Sequence, residues 1–388
     1  MVPDPAGPTE RRLMDALFAP EGRSDPVRAA RGVGVDGCRH EFVTAALHEQ
    51  RLRATPIPPS PDLMFQVASR FLSRIDGSRH RATRGAFTGL FSPRRVERYR
   101  DGIAATANRL LDTFPAAGPI DLVSAFARPL PFSVIARVLG VPDHEHAWLA
   151  ERMEIYGRAV AGQRDRANVE AGNIATAQML DLFEGLLRDR RARPTEDVLS
   201  LLAANTEHES RDDVLANCVF FILAGHATTT TLLTAGVHLL STRPDQLAHV
   251  RARRTSWPLV VDELLRYVSP TTLTGVTATD DIEVAGCPVP AGAGRAIVYA
   301  AANRDPAVFK APDVFDTTRD PNPHLAFSAG VHYCLGAPLA RLHGEVALAL
   351  LFDRLRGLRA LEDPVWIGSV PIRQVARLQV TWDAPTAG

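Results

Sequence analysis

Phe327-Ser328-Ala329-Gly330-Val331-His332-Tyr333-Cys334-Leu335-Gly336 lies between an aperiodic, proline-rich segment and an apolar helical pattern that runs to about Leu355. A thiolate set in a constrained loop just before a helix meets the helix's N-terminal amides and the positive end of its dipole. Both favour the anion and lower a pKa that is about 8.5 in a free thiol. Gly330 and Gly336 let the backbone approach a flat partner closely, because neither carries a Cβ. Cys334 is therefore a candidate metal ligand. Cys38, Cys218 and Cys287 are scattered and form no C-x-x-C pair, which argues against a disulfide framework and a zinc site. They read as small inert thiols.

Upstream of the loop, residues 305–324 contain Pro306, Pro312, Pro321 and Pro323 and show little periodicity. A long irregular segment of this kind is uncommon unless it is functional or pinned to something. Before it, residues 272–278, 282–285 and 296–300 read as short strands, broken by Ser269-Pro270, Gly286-Cys287-Pro288 and Pro290-Ala291-Gly292. Earlier still the pattern is helical. Residues 94–114, 122–139, 145–161, 169–190 and 196–204 are punctuated by Gly and Pro, and Pro244–Arg251 and Trp257–Val268 follow. The fold class is mainly α with small β-sheets.

The longest pattern, Arg211–Ser241, contains no proline, and from Val214 to Thr242 it has no Asp, Glu, Lys or Arg. That length and polarity could span a bilayer. Asn217, His226, Thr228 to Thr231 and His238 place polar groups on several faces, so a buried central helix is the expectation. Its polar middle, Ala224-Gly225-His226-Ala227-Thr228-Thr229, would need a ligand or water for its hydroxyls.

Composition agrees with a compact globule. The 388 residues are 46% apolar, with no internal repeat and no dividing linker, so one domain is expected over 1–388, with about 1–23 as a flexible lead. Lys plus Arg and Asp plus Glu are each 44. Such a balance gives no electrostatic case for a nucleic acid or an anionic membrane as the main partner. The first 40 residues lack the apolar core of a signal peptide, which points to the cytoplasm.

The F-x-x-G-x-H-x-C-L-G pattern resembles the haem-binding loop of the cytochrome P450 family, with Cys334 as the proximal ligand of haem b (iron protoporphyrin IX). Phe327, Gly330, His332 and Gly336 then belong to the cofactor site. Three further segments carry the resemblance. Glu263-Leu264-Leu265-Arg266 matches the family's E-x-x-R, whose pair is buried and bonded to an arginine in the segment before the loop, here Arg319. Asp76 to Arg84 resembles D-x-x-x-H-x-x-x-R. His80 and Arg84, four apart, can leave one helix face, and this places both at the haem propionates with His332 as a third contact.

The middle of the long helix resembles A-G-x-[D/E]-T. Ala224 and Gly225 would leave room for dioxygen, and Thr228 would help deliver protons on that side. Ala227 stands where the acid is expected, so protons must come through water, His226 or a substrate group, or not be needed at all. Val276 stands where many bacterial members carry an arginine for a propionate, which puts that contact in doubt.

The resemblance runs from about Ser24 to the C-terminus and implies a single-domain fold with the long helix over the haem. It implies a monooxygenase acting on a small organic substrate of specialised metabolism, with ferredoxin and ferredoxin reductase as electron donors. Arg79, Arg81 and Arg341 could make the cysteine side positive for an acidic carrier. A monomer without nucleic acid or membrane anchor is expected. The implied pocket takes in Phe65, Phe71, Phe220, Leu223, Leu273 and Val276, the segment 156–171 and the turn near Val370. Two other readings stay open: atypical haem-thiolate chemistry (oxidative coupling, peroxide use or nitric oxide turnover), suggested by Ala227, and a non-catalytic haem-binding protein.

Overall fold

The computed structural model describes residues 39–160, 165–205, 210–367 and 371–384. Val370 and residues 1–38, Cys38 among them, lie outside that range, as does part of 156–171. Packing resolves the chain into two compact units, with boundaries at Thr55, Thr106, Ala127 and Ala227. The helices Arg100–Leu111 and Arg211–Ser241 each run continuously across a boundary.

The unit formed by 56–106 and 128–227 is built of helices joined by turns and irregular segments, with no strand among its described residues. Pro129–Leu139 starts on a proline that needs no amide partner and stops at Gly140, whose φ of 98° closes the helix in the left-handed region. His146–Val160 packs on Arg166–Ala192, which is capped at its N-terminus by Asp165 accepting from the Asn168 amide. The long helix starts here, and its polar Asn217 is fully employed. Asn217 Oδ1 accepts from the Leu72 amide at 2.7 Å, and its Nδ2 donates to Arg70 O and Asp213 O.

The other unit holds every strand among the described residues. These are β1 (Leu52–Ala54), β2 (Ile120–Asp121), β3 (Thr274–Ala278), β4 (Ile282–Val284), β5 (Cys287–Val289), β6 (Gly294–Ile297), β7 (Arg359–Ala360), β8 (Val365–Ile367), β9 (Gln374–Arg377) and β10 (Gln379–Thr381). They form antiparallel sheets β1-β3-β6, β2-β10-β7, β4-β5 and β8-β9. Beside them, Trp257–Val268 packs on Ala337–Arg354. Gly344 permits this approach, since a Cβ there would come within 2.8 Å of Val261 Cγ2.

Several sequence expectations change, among them the break expected at Gly286-Cys287-Pro288, where β5 begins at Cys287. Residues 296–300 do not form one strand: β6 ends at Ile297 and a helical turn, Tyr299–Ala302, follows. The Ile-Val-Tyr run has strand propensity, but local propensity yields to the packing of Tyr299 and Ala302 into the buried cluster. Residues 94–114 divide into Pro93–Glu97 and Arg100–Leu111, and a π-helical turn, Val123–Ala127, precedes Pro129–Leu139.

The segment 305–324 is irregular, as its prolines require, and it is pinned. The Leu325 amide donates to Asn303 Oδ1 at 2.6 Å, and Arg266 takes the carbonyls of Pro312 and Val314. By length and composition Arg211–Ser241 could cross a membrane, yet 61% of its most apolar window is buried in the protein, as in a core helix.

Candidate functional site

The Cys334 loop is shaped by its own backbone. The Ser328 amide donates to Leu325 O at 2.9 Å and the Cys334 amide to Phe327 O at 2.9 Å, while the Ala337 amide reaches Cys334 O at 3.3 Å. The loop therefore closes before the helix Ala337–Arg354 begins and leaves Cys334 exposed just ahead of its first turn. Gly330 has φ +65°, and a Cβ there would collide with the Leu47 carbonyl, so no other residue fits without movement. At Gly336 a Cβ would stand 3.9 Å from Cys334 Sγ, an ordinary van der Waals contact, so the protein's own packing does not demand glycine there.

Neighbours steady this loop. Phe327 is buried, with the Arg341 guanidinium 4.7 Å from its ring centre. Arg341 Nε donates to Asp262 Oδ1 at 2.7 Å, and His324 Nε2 lies 3.2 Å from the same oxygen. Burial alone would raise the Asp262 pKa; the bonds from His324 and Arg341 outweigh it and hold the carboxyl below its usual range. Tyr299 donates its hydroxyl to Ser328 Oγ at 3.2 Å, and its pKa is raised by burial, which outweighs the lowering by the Ser328 bond, with a smaller push from Cys334. His332 is half-buried in the 3₁₀ turn Gly330–His332.

Glu263, Arg266 and Arg319 meet as one cluster. Arg266 Nε and Nη2 clamp Glu263 at 2.7 and 2.8 Å, and Arg319 Nε donates to Glu263 Oε2 at 3.1 Å. Two more donors complete the carboxylate: the Asp316 amide at 2.8 Å and Asn322 Nδ2 at 3.1 Å. Glu263 and Arg266 are 0% exposed, where an unpaired charge is untenable. Asn322 was not foreseen, because its contact is set by the path of the irregular segment and not by any local pattern.

In the helical unit, His80 and Arg84 leave the helix Gly77–Thr88, with His80 buried beside Thr83 and Phe87 and Arg84 half-buried. Phe71 is buried and its ring lies 4.9 Å from that of Phe220; Phe65 is half-buried. Within the long helix, Leu223 to Thr228 are all half-buried, bracketed by buried Ile222 and Thr229. Gly225 faces a specific neighbour. A Cβ there would come within 2.9 Å of Ile135 Cγ1, so the space its missing side chain leaves is filled by Ile135.

His226 Nδ1 lies 2.8 Å from Ile222 O, which requires the proton on that nitrogen, and its ring packs edge-on to Phe132 at 5.8 Å. Burial lowers its pKa, so it stays neutral. These contacts give His226 a packing function.

The three arginines expected to make a positive face are not equivalent. Arg79 is paired with Asp213 at 2.7 Å and Arg341 with Asp262, so two of the charges are largely cancelled locally; Arg81 is exposed. Leu273 is 4% exposed and belongs to the core of its unit, whereas Val276 is half-buried on β3.

A single soft sulfur on a glycine-containing loop, with the His332 imidazole in the same loop, is a donor set that fits haem. Among the described residues no group of three or more His, Cys, Asp or Glu could hold a metal by itself.

Comparison with known proteins agrees. Residues 257–361 match the family model described as Cytochrome P450. The chain is 34% identical to the "Biotin biosynthesis cytochrome P450" of Bacillus subtilis, over 84% of each chain. It is 33% identical to the "6-deoxyerythronolide B hydroxylase" of Saccharopolyspora erythraea, over 92% of this chain and 93% of that one. Its structure resembles that of P450BioI in complex with hexadec-9Z-enoic acid ligated acyl carrier protein, with TM-score 0.86 and 30% identity, over 94% of this chain and 100% of that one.

Proposed function

Because the chain belongs to the cytochrome P450 family of haem-thiolate monooxygenases, we propose that Cys334 is its iron ligand and that it oxidises a small apolar metabolite in a single catalytic domain. One observation carries the ligand assignment: an exposed thiol delivered by a self-bonded loop whose Gly330 admits no Cβ. When bound, haem supplies the reductive activation of dioxygen. The chain's own residues then divide the work.

His80, Arg84 and His332 are the residues that would hold the cofactor's carboxylates. Thr228 presents a hydroxyl from the half-buried middle of the long helix and relays a proton on the oxygen side, with Ala224 beside it. Ala227 supplies no acid and the Nδ1 of His226 is engaged with Ile222 O, so the proton source is water, the other ring nitrogen of His226 or the substrate itself. Phe71, Phe220, Phe65 and Leu223, and separately Val276, are the apolar side chains assigned to the substrate, while Leu273 is core of its own unit.

The similar proteins support a specialised metabolite, free or carrier-bound, since one is named for hydroxylating 6-deoxyerythronolide B and another was solved with an acyl-loaded carrier protein. Ferredoxin and its reductase are the proposed donors in the cytoplasm, with exposed Arg81 the charge left to meet an acidic carrier. Ala227 favours one second reading, direct use of peroxide or oxidative coupling.

Turnover of metabolites that shift the haem spectrum, compared with ferredoxin plus reductase, with peroxide and with NADH alone, separates the readings. The monooxygenase reading expects product only with the protein donors. It also expects Thr228→Ala to lower product per NADH by about tenfold or more. Product from peroxide alone at an equal rate supports the second reading, and no turnover from any source leaves a haem-binding protein.

A further inference from the structure

Three arginines lie in and just after the turn that joins the helices Leu63–Ala68 and Gly77–Thr88, and two of them are matched by acids. Arg70 pairs with Asp213 at 3.0 Å and with Asp212 at 3.1 Å, and Arg79 donates to Asp213 at 2.7 Å. Arg74 differs. Among the described residues no carboxylate meets its guanidinium, and the group it interacts with is the phenol of Tyr156.

Tyr156 is 1% exposed on the inner face of His146–Val160, with Met153 and Ala159 one turn to either side. That face meets two other helices at one point: a Cβ on Gly172 would come within 2.8 Å of both Ala159 Cβ and Met64 Sδ. Met64 is buried in Leu63–Ala68, the helix that leads into the Arg74 turn. The turn closes with the Arg74 amide donating to Phe71 O at 2.7 Å, and the Phe71 ring lies 4.9 Å from that of Phe220. All these residues belong to the helical unit.

Water reaches the Arg74 side chain, yet enough protein surrounds the guanidinium that desolvation lowers its pKa. A charge both walled in and reached by solvent lines a crevice. Burial raises the pKa of Tyr156, so its hydroxyl stays a proton donor. Among the described residues neither group has an acceptor of its own, and the Phe71–Phe220 pair begins one turn away. Such donors form a polar anchor at the edge of an apolar surface.

We propose that Arg74 and Tyr156 bind a carboxylate of the substrate, so that the substrate is an apolar acid taken up as its free anion. The planar guanidinium fork matches a carboxylate, and the phenol adds a neutral donor. This names the substrate class of the reading above and rests on it.

Isothermal titration of the haem-loaded protein with decanoic acid and with 4-phenylbutyric acid, each against its methyl ester, reads the anchor, with the Soret shift recorded on the same samples. Each acid should bind about tenfold tighter than its ester. Arg74→Met should remove that preference and leave ester binding unchanged, Arg74→Lys should keep part of it because a charge remains, and Tyr156→Phe should reduce it about threefold. Arg158→Met, an exposed charge on the same helix as Tyr156, should keep it in full.

Equal binding of acid and ester by the wild type, or a preference that survives Arg74→Met, would overturn the proposal while leaving Cys334 as ligand. Acid-selective heat without a Soret shift would place the anion outside the substrate site and overturn it as well. Absence of a thiolate-type spectrum would instead remove the haem reading, a failure visible before any acid is added.

Discussion

Replacing Glu263 by glutamine removes one charge and almost no volume, so the cost is electrostatic and not that of a cavity. Five donors converge on that carboxylate: two from Arg266, and one each from Arg319, the Asp316 amide and Asn322. An amide oxygen can keep some of them, but its NH₂ group must point at donors, and Arg266 stays 0% exposed with only the carbonyls of Asn303, Pro312 and Val314 as neutral acceptors. Breaking a buried pair from one side costs about 3–5 kcal/mol.

Arg319→Met should cost less, about 1.5–3 kcal/mol, because it removes a single charge-assisted bond to Glu263 and leaves the Arg266 clamp whole. Urea unfolding of the holoenzyme followed by circular dichroism reads the difference. The paired variant Glu263→Gln with Arg266→Met should be less destabilised than the sum of its parts, since neither charge is then stranded. A cost below about 1 kcal/mol for Glu263→Gln, or strict additivity in the pair, would refute the reasoning that this cluster is a buried, mutually dependent charge network.

His343 is fully buried, and burial lowers its pKa to about 4 from an ordinary 6.5. Its contribution to stability is complete above pH 6.5 and is lost as pH falls toward 4, a total of about 3 kcal/mol, because only the unfolded chain takes up the proton in that window. His343→Leu should flatten the urea midpoint across that range; an unchanged pH dependence would contradict the assignment. Gly225→Ala should destabilise by about 1–3 kcal/mol through overpacking on Ile135, with partial recovery on adding Ile135→Ala. Thermal unfolding of the single and double variants decides it, and no coupling between the two sites would contradict the contact.

What could be read from the sequence was what is local. The Cys334 loop, the Glu263-Arg266 spacing and the proline-pinned segment are contiguous patterns whose chemistry depends on near neighbours, and the structure builds each where the pattern lies. What escaped depends on partners far along the chain. That β3 and β6 pair with Val276 opposite Arg295 follows from strand register, which the short strands around Gly292 do not specify. Asp213 and Asp262 neutralise Arg79 and Arg341 across 134 and 79 positions. The turn at Tyr299 was read as strand because β-branched residues precede it, and only its packing overrides them. The room ascribed to Gly225 could not be assigned without knowing that Ile135 faces it.

The assignment of Cys334 is tested most directly by the absorption spectrum of the reduced, carbon monoxide-bound protein. Thiolate ligation predicts a strongly red-shifted Soret band in the wild type that is lost in Cys334→Ala, while Cys218→Ala and Cys287→Ala retain it. Persistence of that band in Cys334→Ala would contradict the account.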